Sequence, residues 1–343
     1  MGAPAREGWR WPAEWEPHAA TWLAWPHNPE TWPGRLEHAQ DAFAVFVREL
    51  AAREPVQLLV NNVETELAAR VLLGSEGVDV ERVGFHRVRT NDSWLRDSGP
   101  LFLVREDETA LADFGFDAWG QKYPPWDLDD AVPRAIQEIT GLPRFEAGFV
   151  LEGGSVEGDG GGTILTTDSC LLNRNREPGR SREQMERRLS EWLGAREVVW
   201  LADGIQGDDT DGHIDDIARF VGPGTVVAVT AEEGHPDQAV LAENLARLRA
   251  ARDADGKPLA IAKLPSPPPL ELAGIRCPAS YANFLLVNGA VLLPTFGAPQ
   301  DQRARAVLGE LLPERDVVPV PARELVLGLG ALHCLSQQQP ASG

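Results

Sequence analysis

HIDDIARFVGPGTVVAV, residues 213–229, leaves a polar cluster, enters an apolar β-branched strand, turns at Pro223-Gly224 and returns as a second strand. That is a β-hairpin with a charged leader. Three other stretches have the same design: DSGPLFLVREDETALADF at 97–114, EGGSVEGDGGGTILTT at 152–167 and YANFLLVNGAVLLPTF at 281–296, each with Gly, Asn or Asp at or near the turn. Their leaders, Asp97, Glu152, His213 and Tyr281, are 55, 61 and 68 residues apart, a loose period that points to a radial repeat. TWLAWP after His18 begins an earlier unit, and Cys334 arrives near the chain end as a closing contribution.

Between the hairpins, helical periodicity is clear in Leu36, Ala39, Phe43, Phe46, Val47 and Leu50, and again in SREQMERRLSEWL, where Ser181 and Gln184 have capping-box spacing. VQLLV at 56–60, EVVWL at 197–201 and LAIAKL at 259–264 read as strands beside those helices. The expectation is a propeller-like α/β fold in one closed domain, 1–343, with every hairpin leader facing one central space. The alternative is a doubly wound sheet in two domains, divided at the proline run PSPPPL, 265–270.

Composition narrows the partners. A formal net charge of −20 over 343 residues argues against nucleic acid and against an anionic membrane surface, and is compatible with a small cationic substrate. No apolar run approaches the ~18 residues of a membrane span, and the first residues lack the apolar core of a signal peptide, so a cytoplasmic protein is expected. Three cysteines without CxxC spacing suggest neither a disulfide framework nor a thiolate zinc site. Cys170 and Cys277 read as small buried apolar residues. The oligomeric state is not readable, and homo-oligomerisation stays open.

The chemical candidates lie at the hairpin leaders. In GDDTDGHIDD, five aspartates surround His213, a concentration of acid that implies a bound cation, either a metal or a substrate. If this segment is extended, His213 and Asp215 share a face and Ile214 points to apolar packing. A calcium loop cannot be laid onto these residues, and HExxH is absent. Cys334, in GALHCLSQQQP, carries the one intrinsically strong nucleophile, and in an extended strand the adjacent His333 would point away from it. Asp97 precedes Gly99-Pro100 and has Arg96 as a structural salt-bridge alternative. Glu152 precedes a Gly pair that allows close approach of another group.

Together, PAEWEPHAATWLAWPHN at 12–28, WLRDSGP at 94–100, LEGGS at 151–155, DDTDGHIDDIARF at 208–220 and HCLSQQQP at 333–340 resemble the agmatine deiminase and peptidyl-arginine deiminase family of guanidino-group-modifying enzymes, in family order and over nearly the whole length. The resemblance implies a five-bladed, pentein-type α/β propeller. It implies Cys334 as nucleophile, His213 as general acid and base, Asp97 and Asp215 as guanidinium-binding carboxylates, and Glu152 as the acid beside the histidine, favouring its protonated form. Trp94 would cover the π face of the guanidinium, and Asp209 would hold the distal amine of agmatine. Asp208, Asp211 and Asp216 are left as loop structure. The implied reaction is hydrolysis of agmatine to N-carbamoylputrescine and ammonia through an amidino-cysteine, in polyamine biosynthesis, with no cofactor and no metal.

The chain departs from the family's usual pattern in GLGALHC, where Leu329, Ala331 and Leu332 replace a more Gly-rich, polar run, and at Ser336 in place of Thr. Three alternatives stay open: a deiminase of free or peptidyl arginine, a metal-dependent hydrolase built on the acidic cluster, and a non-catalytic polyamine-binding protein.

Overall fold

A computed structural model describes residues 2–341. Three parallel strands come first: β1 (His18–Ala24), β2 (Val56–Val60) and β3 (Val83–Arg87). Parallel neighbours cannot be joined by a tight turn, and helices α1 (Leu36–Ala51) and α2 (Val63–Ser75) make the crossovers. The periodic residues of α1, Phe43, Phe46, Val47 and Leu50, are fully buried.

From there the chain repeats one order of elements. β4 (Leu101–Arg105) and β5 (Glu108–Gly115) form an antiparallel pair, α3 (Val132–Thr140) crosses over, and β6 (Arg144–Val150) returns parallel to β5. The same sequence recurs in β7 (Glu157–Gly158), β8 (Thr163–Thr167), α4 (Arg182–Leu193) and β9 (Glu197–Leu201). It recurs in β10 (Ala218–Gly222), β11 (Thr225–Thr230), α5 (Gln238–Ala250) and β12 (Ala260–Pro265). A small ribbon, β13 (Leu270–Leu272) with β14 (Ile275–Cys277), follows the proline run. The last full unit is β15 (Leu285–Val287), β16 (Ala290–Thr295), α6 (Gln300–Leu311) and β17 (Asp316–Pro321). The capping box expected at Ser181 and Gln184 starts α4.

The first sheet completes the pattern from the other end of the chain. β18 (Ser336–Pro340) lies antiparallel to β1, with Leu23 opposite Ser336 and Trp22 opposite Gln337. Among the described residues, five antiparallel pairs carry a parallel third strand, and this one is assembled from the first and last described strands. The doubly wound alternative does not hold, because the strands fall into separate small sheets rather than one open parallel sheet. Among the described residues no sheet closes on itself. Apolar residues from both sides of the proline run, Leu241 and Leu293 among them, belong to one contiguous buried cluster. Among the described residues no helix is long and apolar enough to cross a membrane.

The segments leading into the hairpins are not extended. Leu95–Ser98, Gly153–Ser155 and Ile214–Asp216 are single helical turns, and residues 332–335 form a turn. The face-sharing expected of His213 and Asp215 on a strand is therefore replaced by a 3-10 turn, although Ile214 does enter the core.

Glu54 ties the terminal sheet to the unit of β15 and β16. Its buried carboxylate faces His18 Nδ1 at 3.1 Å and accepts from Thr21 Oγ1 at 2.5 Å and from the Asn288 N–H at 2.8 Å. Removing one partner of a buried charged set strands the others. Glu54→Ala is expected to lower unfolding free energy by about 3 kcal/mol, measured by the denaturation midpoint at unchanged slope.

Candidate active site

Gly154 marks the point where the leaders meet. A Cβ built there would lie 2.5 Å from His213 Nδ1, 2.9 Å from Asp97 Oδ1 and 3.2 Å from Asp215 Oδ2, so only glycine leaves these three groups their positions. Asp97 Oδ1 accepts the Gly154 N–H at 2.8 Å, its Oδ2 accepts Trp119 Nε1 at 3.0 Å, and His213 Nδ1 stands 3.7 Å away. Arg96 does not pair with Asp97. It turns the other way, its Nε donating to the His333 carbonyl at 3.3 Å and its Nη2 lying 3.7 Å from Glu14.

Cys334 stands at the same centre. Its Sγ is 3.5 Å from Asp215 Oδ2 and 2.9 Å from Asn283 Nδ2. Trp94 flanks the thiol loop closely, since a Cβ on Gly330 would meet Trp94 Cζ3 at 2.5 Å and Cys334 Cβ at 2.9 Å. Glu152 approaches His213 from the far side, with ligand atoms of both within 4.8 Å, but its Oε1 accepts Arg176 Nε at 2.8 Å.

Asp209 is not part of this buried group. Its side chain is 44% exposed, accepts from the Tyr123 hydroxyl and has Lys122 Nζ 3.5 Å away. A row of aromatic contacts leads from it to the centre: Tyr123 packs edge-on against Trp119, whose indole holds Asp97. Trp119 belongs to a strained segment in which Ala118, Trp119 and Gln121, none of them glycine, have φ of 54°, 58° and 65°.

The remaining acids of the cluster divide. Asp208 is a turn former, accepting the N–H groups of Thr210, Gly212 and His213. Asp211 is paired with Arg176 and Lys122. Asp216, expected in the loop, is instead buried beside the thiol and accepts Asn283 Nδ2 at 3.0 Å. Sequence reasoning also missed Asn283 itself, whose only signal was an amide inside the apolar run YANFLLV; Tyr281, taken as that hairpin's leader, bonds Asp301 instead. It set aside His333 on the premise of an extended strand, and the turn at 332–335 undoes that premise. His333 Nδ1 reaches Asp215 Oδ2 at 2.7 Å.

Burial dominates the electrostatics. It pushes Asp97 and Asp216 well above the usual carboxylate range, with the charge of Asp215 adding to both. Burial also opposes ionisation of Asp215, but the His333 contact outweighs it and holds this carboxyl below its ordinary value. Burial raises the Cys334 thiol well above its normal range, reinforced by Asp215, Asp216 and Asp97. His213 is pulled down to about 3, chiefly by burial and against the opposing charge of Asp215. Burial holds Glu152 above its usual value despite Arg176. Among the described residues Glu152 makes no hydrogen bond to His213, and its Oε1 is engaged by Arg176.

Burial thus disfavours the charged forms of the Cys334 thiol, the His213 ring and Asp97, whereas Asp215 is shifted toward its carboxylate. Asp215 Oδ1, Glu152 Oε2 and both ring nitrogens of His213 are buried with no hydrogen-bond partner among the described residues. Unpaired buried acceptors of this kind suit a cation that brings its own N–H donors. By distance alone, Glu152 with Cys170 and His213, and Asp215 with Asp216 and Cys334, are also close enough to share an ion. Cys170 and Cys277 are buried, as expected.

A neutral, buried thiol is a poor nucleophile toward small electrophiles. In the free protein at pH 7, iodoacetamide is expected to alkylate Cys334 at least ~10-fold more slowly than free cysteine, with the rate climbing as pH rises past ~9. Peptide mass spectrometry checks this, and rapid alkylation at pH 7 would contradict the neutral thiol.

Comparison with known proteins places the chain. Residues 10–340 match the model of the Porphyromonas-type peptidyl-arginine deiminase family. Agmatine deiminase of Stutzerimonas stutzeri is 43% identical, with 98% of this chain and 97% of the relative covered. Among solved structures, the agmatine deiminase of Enterococcus faecalis superposes with a TM-score of 0.95 at 33% identity, covering 100% of this chain and 99% of the other. A cysteine-to-serine form of the C. jejuni agmatine deiminase with substrate bound superposes with a TM-score of 0.87 at 30% identity, covering 96% of each chain. With a family match over nearly its full length and relatives of this likeness, the chain belongs to the Porphyromonas-type peptidyl-arginine deiminase family.

Proposed function

We propose that this protein hydrolyses the guanidinium of agmatine to N-carbamoylputrescine and ammonia, a putrescine-forming step, with Cys334 as nucleophile, His213 as general acid and base, and Asp97 and Asp215 as guanidinium-binding carboxylates. The observation that carries the reading is the convergence of Asp97, His213 and Asp215 over Gly154, with the Cys334 thiol beside Asp215. Relatives named agmatine deiminase, alike over their full length, support the substrate. The fivefold recurrence of antiparallel pair, helix and parallel strand supports a single catalytic domain, 1–343, built as a five-bladed propeller. A cytoplasmic location suits a small-molecule reaction that depends on a reduced thiol.

In this reading the substrate brings the charge the pocket lacks. Guanidinium N–H groups pair with Asp215 and with Asp97, the incoming cation favours the carboxylate form of both, and the same positive charge draws down the Cys334 thiol. The thiol proton passes to His213, and the thiolate adds to the guanidinium carbon. His213 returns that proton to the departing amino group, the C–N bond breaks, ammonia leaves, and a cationic amidino-thioether remains. Water then adds to the same carbon as His213 takes one of its protons. The C–S bond breaks, the hydroxyl proton restores the Cys334 thiol, and His213 releases its proton to give ammonium overall. Trp94 walls the thiol loop, and Glu152, held by Arg176, limits the positions open to the His213 ring.

Agmatine is favoured over arginine because the basic side chains near the acidic loop are already engaged. Lys122 is taken by Asp211 and by the carbonyl and carboxylate of Asp209, and Arg176 by Glu152 and Asp211, so neither cation is left to receive an α-carboxylate beside Asp209. The distal amine of agmatine would find the Asp209 carboxylate useful.

The test is a panel of agmatine, free arginine and a blocked arginine peptide, scored for ammonia and ureido product. Agmatine is expected to dominate, Cys334→Ala to abolish turnover, and His213→Ala to lower kcat by about 1,000-fold or more. Preference for arginine would overturn the substrate; activity that survives Cys334→Ala and disappears with a chelator would overturn the mechanism. Asp209→Asn is expected to raise KM for agmatine about tenfold with kcat little changed, as loss of uniform binding requires.

A further inference from the structure

The ring of His333 lies between two buried carboxylates. Nδ1 is 2.7 Å from Asp215 Oδ2, and Nε2 is 2.8 Å from Glu14 Oε2. An ionised carboxylate only accepts hydrogen bonds, and a neutral imidazole has one N–H to offer. With a single ring proton, one of these two short contacts would set lone pair against lone pair.

Glu14 cannot relieve the conflict by taking up a proton. Its Oε1 accepts the Leu286 N–H at 2.7 Å, while Oε2 lies 2.7 Å from Arg219 Nη2 and 3.7 Å from Arg96 Nη2, an arrangement that stabilises the anion. Arg219 is shared with Glu157, whose two oxygens accept Arg219 Nε at 2.9 Å and the Phe220 N–H at 2.8 Å, again as a carboxylate. Glu14 and Asp215 thus present acceptor oxygens to both nitrogens of one ring, and only a ring that carries both protons satisfies both contacts.

We infer that His333 is held as an imidazolium, and that it is a positioning residue for the reaction: it fixes Asp215 Oδ2, keeps this carboxylate ionised in the empty pocket, and leaves Oδ1 to receive the guanidinium. Asp215 Oδ1 is the buried oxygen that lacks a partner among the described residues. The Cys334 thiol contacts the same Oδ2, at 3.5 Å, so histidine and cysteine of one dipeptide grip a single oxygen from two sides. Asn283 Oδ1 accepts the backbone N–H of both residues, at 3.0 and 3.3 Å, which fixes the turn that makes this possible. The proposal rests on Asp215 as a guanidinium-binding carboxylate, yet the protonation state of His333 is measurable without turnover.

Histidine-selective 15N NMR of the full-length, substrate-free protein at pH 8, where a free imidazole is neutral, is expected to show both His333 ring nitrogens protonated. The resonance is assigned by its loss in His333→Gln. A neutral tautomer at pH 8 would overturn the proposal, whatever the substrate proves to be. In kinetics, His333→Gln removes the cation facing Asp215, so Asp215 takes up a proton more readily and the acidic limb of kcat/KM moves to higher pH. The expected loss at pH 6 exceeds that at pH 8 by about tenfold, and falls more on KM than on kcat. Glu14→Gln is expected to move the limb in the same direction by less. A variant that loses thermal stability while keeping the wild-type pH profile would show a merely structural histidine; should His333→Gln fail to fold, Glu14→Gln and the wild-type NMR decide.

Discussion

Everything in this pocket depends on keeping one carboxylate ionised where water is excluded. Burial alone would raise the pKa of Asp215, as it raises those of Asp97 and Asp216. The cost is met by a charge network reaching from the N-terminal segment through Glu14, Arg219 and Glu157 to His333. Two neighbouring aspartates in similar burial are thus shifted in opposite directions, and the difference lies in what backs each of them. Asp97 is backed by a backbone N–H and an indole, both neutral, whereas Asp215 is backed by ionisable partners.

The fold supplies this environment by bringing sequence-distant turns to one place. Each antiparallel pair is introduced by a short polar turn, and a turn can aim a side chain inward while the strand behind it is sealed in the core. Gly154 and Gly330 fill the tightest gaps between such turns, at the carboxylates and at Trp94 respectively. Leu329, unusual in the loop before Cys334, adopts a left-handed φ of 70°, a strained conformation for leucine, and the turn that follows still delivers Cys334 to Asn283 and Asp215.

Much of this was legible in the chain. Turn glycines and β-branched runs announced the hairpins, apolar periodicity announced α1 and α4, and the leader positions pointed to Asp97, Glu152 and His213, and also to Tyr281, which bonds Asp301 instead; Cys334 was picked out by its thiol. What failed was local geometry just before the strands. Reading residues 213–215 and 333–334 as extended gave the right companion for His213 by the wrong path and dismissed His333, since side-chain direction in a turn cannot be read from alternation. Asn283 and Asp216 were missed because their importance lies in contacts with residues about 50–70 positions away, for which a single sequence carries no signal. Glu14 and Arg219 act through a buried charge balance, and that exists only once the fold is assembled.

The pairing of β1 with β18 also bears on how the protein comes into being. Synthesis runs from the N-terminus, and the strand that completes the first sheet, together with the thiol just ahead of it, is made after the other described strands. Until then β1 has one unpaired edge, and the nascent chain carries Asp97, His213 and Asp215 without a sulfur to act beside them. The Ala341 N–H reaches the Pro17 carbonyl at 2.7 Å, so the segments flanking β1 and β18 close on each other like a clasp. In the proposed mechanism, chemical competence dates from the closing of that clasp, and a polypeptide that stops short of Cys334 is inert.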